Sequence, residues 1–103
     1  MATTQDLEAF VCELRVASRT DAAEFKRLLG RGIEFLSLTD KDIAREFGAS
    51  RPTVTRWRNG DNAPHPAMRK PVFDWLTQRA QIAIRRQKAA SPAQAQASAL
   101  GHA

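Results

Sequence analysis

Arg51, Thr53, Thr55, Arg56, Arg58 and Asn59 crowd into one short stretch of the chain. All are side chains that hydrogen-bond to polar edges. A guanidinium can donate two parallel bonds to guanine O6 and N7, and a threonine offers a hydroxyl for a base-edge acceptor and a methyl for thymine. Val54 and Trp57 stand three apart in the same stretch, so in a helix they share a face turned toward a core. Arg51, Thr53, Thr55, Arg56 and Asn59 then lie on other faces, open to a partner. Ser50 is a good cap for such a helix, and Pro52 sits just inside its start, where a missing N–H costs little. The free N–H groups of a helix start also suit phosphate.

No comparable arrangement suits catalysis. The chain has one cysteine, Cys12, and two separated histidines, His65 and His102. There is no glycine-rich phosphate loop and no acid pair placed to share a proton. His65 with Asp61 falls short of the usual number of metal ligands. The expectation is therefore a protein that is not an enzyme, with no catalytic residue, metal site or cofactor.

A second short helix must precede the first to hold it. Thr39 and Asp42 form a capping-box-like start, with Asp in place of the usual Glu or Gln. Ile43, Ala44 and Phe47 point inward from that helix, Ala44 being small where two helices cross. Gly48 can take the positive φ that stops a helix sharply, and Ala49 is the small residue of the turn. After the second helix, Gly60, Asp61, Asn62 and Pro64 make a loop.

The flanks read as further helices. Leu7, Phe10, Val11 and Leu14 follow i, i+3, i+4, i+7 spacing, and Thr3 or Thr4 can cap that helix. Cys12 within it reads as a small core residue. Asp21 and Glu24 suit a second start, for a helix carrying Phe25, Leu28 and Leu29 that Gly30 and Gly32 should break or loosen. Ile33, Phe35, Leu36 and Leu38 fit either another helical turn or a packed loop. Pro66 and Pro71 place the start in earnest of the last helix near 71, with room for one turn at 66–70. That helix carries Val72, Phe73, Trp75, Leu76, Ala80, Ile82 and Ala83. Trp57 and Trp75 sit among apolar residues and read as core, while Trp75 and Ile82 mark an apolar edge that one small core need not cover. From 89 to 103 the composition collapses to Ala, Gln, Ser and Pro, which predicts disorder. The fold class expected is all-α, a compact bundle of about five helices: an N-terminal helix in 1–19, a helix-turn-helix unit with its C-terminal helix in 20–88, and a tail.

The chain's 103 residues suffice for one core. The net charge of +5 is unevenly placed. Residues 1–49 hold nine acids and seven bases, a net of −2, whereas 50–103 hold two acids and nine bases, a net of +7. The basic half begins where the arginine-bearing helix begins, which suggests a polyanionic partner. Arg79, Arg85, Arg86 and Lys88 suit flanking phosphates or simply a solvated face. The opening residues lack a basic and an apolar signal region, and no run approaches a membrane span. The expected location is the cytoplasm, with no membrane partner.

Leu38 to Pro64 resembles the helix-turn-helix of the lambda-repressor and Cro type. The likeness rests on Leu38-Thr39, Ile43-Ala44, Phe47-Gly48, Ser50, Val54, Arg56-Trp57, Gly60 and Pro64. It covers about a quarter of the chain directly, and the flanking helices extend it over 20–86. The resemblance implies a homodimer on a near-palindromic operator, with a recognition helix from Arg51 to Arg58. It places Arg51, Pro52, Thr53, Thr55 and Arg56 at bases, and Thr39, Lys41, Ser50, Arg58 and Asn59 at phosphates. Two residues depart from the pattern. Asp40 stands where the family often has a Gln that holds phosphate and orients a recognition residue; an acid there must cap its helix or pair with an arginine. Pro52 replaces a polar base reader.

The function implied is sequence-specific binding of double-stranded DNA as a transcriptional regulator, a repressor acting by occlusion. The dimer contact is expected at the Trp75–Ile82 edge or at the helix of Leu7–Leu14. Two other uses suit the same fold: a protein-interaction module such as an antitoxin or assembly adaptor, and a DNA-binding part of a replication, recombination or packaging machine.

Overall fold

The computed structural model describes residues 2–90. Five helices account for them: α1 (Thr4–Val16), α2 (Ala22–Leu36), α3 (Asp40–Phe47), α4 (Arg51–Asn59) and α5 (Pro66–Ala90). The all-α class and the helix count agree with the sequence expectation.

Local chemistry sets most of the boundaries. Thr3 caps α1 in a reciprocal box with Asp6, and the Asp21 carboxylate accepts the N–H groups of Ala23 and Glu24 to start α2. Each satisfies donors that the first helical turn leaves free. His65 does the same for α5, its Nδ1 accepting the Ala67 N–H at 3.1 Å.

Gly30 and Gly32 do not break α2, which runs unbroken to Leu36. Ile33, Phe35 and Leu36 are thus its last turns. The cost of two helical glycines is offset by packing: a Cβ on Gly32 would lie 2.8 Å from Leu76 Cδ2 and 3.2 Å from Phe10 Cζ. The glycine lets α1 and α5 close on α2.

Nor does Pro71 start a helix, since α5 begins at Pro66 and passes straight through it. Pro71 deprives only the Ala67 carbonyl of a partner, and both residues lie on the exposed side, where water serves. The helix also continues through Ala89 and Ala90, two residues into the segment expected to be disordered. The rest of that segment, 91–103, lies outside the described residues.

One core joins all five helices. Phe10, Phe25, Leu28, Leu29, Ile43, Val54, Val72, Leu76 and Ala80 are fully buried. The Leu7–Leu14 face of α1 belongs to this core, packed along α5. Cys12 is exposed rather than core, since it falls beside that stripe. Trp75 is half-buried at the margin, edge-on to Phe47 with centroids 5.5 Å apart and capped by Arg79. Ile82 lines an open groove of about 300 Å³ with Leu7, Phe35 and Leu36.

Candidate nucleic-acid interface

The α3–α4 pair is built from the local signals in its sequence. The Thr39 hydroxyl accepts the Asp42 N–H at 3.1 Å while the Asp42 carboxylate accepts the Thr39 N–H at 3.0 Å. Gly48 ends α3 at φ 64°, in the left-handed region that glycine occupies without steric cost. Ser50 opens α4 by accepting the Thr53 N–H, and Gly60 closes it at φ 81° with its N–H on the Arg56 and Trp57 carbonyls.

Two buried side chains fix which way α4 turns. Val54 is fully buried and Trp57 nearly so. The Trp57 ring stands edge-on to Phe25 of α2, centroids 6.3 Å apart, and Phe25 in turn touches Phe73 of α5. With that face inward, Arg51, Pro52, Arg56 and Asn59 are exposed, and Thr53, Thr55 and Arg58 are half-buried on the flanks. Lys41 is exposed at the start of α3. Most of the residues singled out from sequence therefore lie on α4 or at Ser50 before it, while Thr39 and Lys41 stand at the start of α3, where Asp40 contacts Arg58.

They do not all remain free. Asp40 accepts Arg58 Nε at 3.1 Å, Arg58 Nη2 at 3.0 Å and the Thr55 hydroxyl at 2.6 Å. Of the two roles open to an acid at position 40, capping its helix or pairing with an arginine, this is the pairing. The Arg58 contact, then that of Thr55, holds the Asp40 carboxyl below the usual aspartate range against the opposing effect of burial. Asp40 is thus an ionised carboxylate at neutral pH, able only to accept. Arg58 keeps its Nη1 hydrogens for a further partner. Thr55 keeps no proton to offer outward, since its second neighbour, the Arg51 carbonyl at 3.0 Å, is also an acceptor. That removes donation to a base-edge acceptor from the chemistry expected of Thr55.

Thr39 and Ser50 are occupied as caps, and the Ser50 and Thr53 hydroxyls lie 2.7 Å apart. Arg51, Arg56 and Lys41 form no ion pair among the described residues. The surface therefore offers two exposed guanidiniums, one ammonium, an amide and a carboxylate-locked arginine.

Sequence reasoning missed Arg69. It is buried, its Nε on the Pro64 carbonyl at 2.9 Å and its Nη1 on the Arg19 carbonyl at 2.8 Å. It ties the loop after α4 to the turn before α2, and so anchors the exit of α4. The signal was present: Arg69 stands at the head of the stripe Val72, Phe73, Leu76, Ala80 that α5 buries. Gln87 was missed too; it joins α5 to the Thr4 hydroxyl and the Ala2 carbonyl.

No known protein family, curated protein or solved structure matches the chain. Among the described residues no helix is long and apolar enough to cross a membrane, and no cluster of potential ligands is suited to a metal.

Proposed function

We propose that this protein binds double-stranded DNA in a sequence-specific way and regulates transcription, most simply as a repressor that occludes its operator. Helix α4 would enter the major groove as the second helix of a helix-turn-helix of the lambda-repressor type. The observation that carries the proposal is the orientation of α4. Val54 and Trp57 anchor one side, and Arg51, Pro52, Arg56 and Asn59 project from the other.

Arg51 and Arg56 are the assigned base readers, each able to address guanine O6 and N7. Lys41, Asn59 and the Nη1 edge of Arg58 are assigned to phosphates, with the α4 N-terminus behind Ser50. Thr39, Ser50 and Thr53 act chiefly by fixing the helix starts. Phosphate contacts supply the salt-dependent affinity, and base contacts supply sequence choice. One short helix covers few base pairs, so a homodimer on a two-fold site completes the proposal, with the groove beside Ile82 as its contact.

The test is selection of bound duplexes from a random pool at two salt concentrations. A recovered motif with half-sites about one helical turn apart supports a dimeric operator-binding protein. Binding without an enriched motif, lost at moderate salt, would leave only charge attraction and favour a protein-interaction role.

A further inference from the structure

We infer that Thr55 reads DNA as a hydrogen-bond acceptor, and that Asp40 is the positioning residue that makes it one. The inference rests on the proposed major-groove reading by α4. The base it selects carries an exocyclic amine in the groove: adenine through N6 or cytosine through N4.

The geometry leaves Thr55 one option. A hydroxyl has a single proton and two lone pairs. Both protein atoms within hydrogen-bond reach of Thr55 Oγ1 are acceptors, the Asp40 carboxylate at 2.6 Å and the Arg51 carbonyl at 3.0 Å. Whichever receives the proton, it points into the protein. The shorter distance and the full charge favour Asp40. What remains on the open side of the oxygen is lone-pair density, which accepts from an amine and repels guanine O6 or thymine O4.

Asp40 is itself held. Arg58 clamps both of its oxygens, so the carboxylate cannot swing away to release the threonine proton. The triad joins the first residue of α3 to the middle and last turns of α4. It thereby sets the polarity of one reading position from outside the recognition surface.

The experiment uses the full chain and three variants, Thr55→Val, Thr55→Ser and Asp40→Asn. Selection from a random pool identifies the base pair whose preference is lost in Thr55→Val. Duplexes are then made with the amine deleted at that pair (purine for adenine, or pyrimidin-2-one for cytosine), and separately with the O6 or O4 acceptor deleted. Wild type and Thr55→Ser should lose about three- to tenfold in affinity on losing the amine, the worth of one hydrogen bond. Thr55→Val should lose nothing further. Asp40→Asn removes the charge, and the amide oxygen and the Arg51 carbonyl that remain are weaker acceptors, so the threonine proton is held inward less firmly. The amine dependence should fall, with some dependence on the O6 or O4 acceptor in its place. A merely structural role for Asp40 would instead shift affinity for all duplexes together, and that result overturns the inference. So does an enriched motif with no pair sensitive to Thr55→Val. No enriched motif in the wild type overturns the DNA-reading proposal, and this inference falls with it.

Discussion

The same substitution, Gly→Ala, made two residues apart in α2 should change stability in opposite directions. At Gly30 a Cβ would meet nothing within 4 Å. Alanine there gains helix propensity of about 0.8–1 kcal/mol at no steric cost. At Gly32 the new Cβ would stand 2.8 Å from Leu76 Cδ2 and 3.2 Å from Phe10 Cζ. Leu76 and Phe10 are fully buried in the core, so neither can turn aside into solvent. Overpacking of this kind costs about 1–3 kcal/mol, against the same propensity gain of about 1 kcal/mol. The net should be destabilisation of up to about 2 kcal/mol. In a domain of this size each kcal/mol moves the melting midpoint by about 4–8 °C. Gly30→Ala should therefore melt several degrees above the wild type and Gly32→Ala below it, with urea midpoints moving the same way. Equal stabilisation by both would refute the close approach of α1 and α5 to α2.

Three further outcomes are expected. Replacing Arg69 with Leu strands the Pro64 and Arg19 carbonyls beside an apolar side chain and should cost about 1–3 kcal/mol in urea unfolding; an unchanged midpoint would show that the latch contributes nothing. Asp6, Glu13, Asp40 and Asp42 all have pKa values lowered by their partners. Their contribution is thus present above the unfolded-state values near about pH 4 and is lost as pH falls through the lower native values, so urea midpoints should be flat near neutrality and drop below about pH 4. Arg56→Ala should cost about 1–3 kcal/mol in DNA binding and relax preference at one base pair; uniform weakening across sequences would reassign Arg56 to phosphate.

What could be read directly from the chain was chemistry that acts over a few residues. The Thr39–Asp42 box, the left-handed Gly48, the Ser50 cap and the inward Val54–Trp57 pair all depend on near neighbours. What could not be read depends on crossings between distant segments. Gly32 reads as a helix breaker until Leu76 and Phe10 are seen filling the space above it. Pro71 reads as a start until its side of α5 is seen to face water. An acid at position 40 left capping and pairing with an arginine both open, and only the crossing of α3 and α4 chooses Arg58 and adds Thr55. Arg69 at the head of the buried stripe of α5 was a readable signal, but its two partners, the Pro64 and Arg19 carbonyls, are supplied only by the fold.

The most direct measurement is an NMR titration of the labelled protein with the tightest-binding duplex from the selection. The backbone amides of residues 50–59 and the Arg51 and Arg56 side-chain Nε–H signals should shift most, with those at the α1 end of α5 unmoved. Shifts concentrated on α1 and on Arg79 to Lys88 of α5, with α4 silent, would contradict the account.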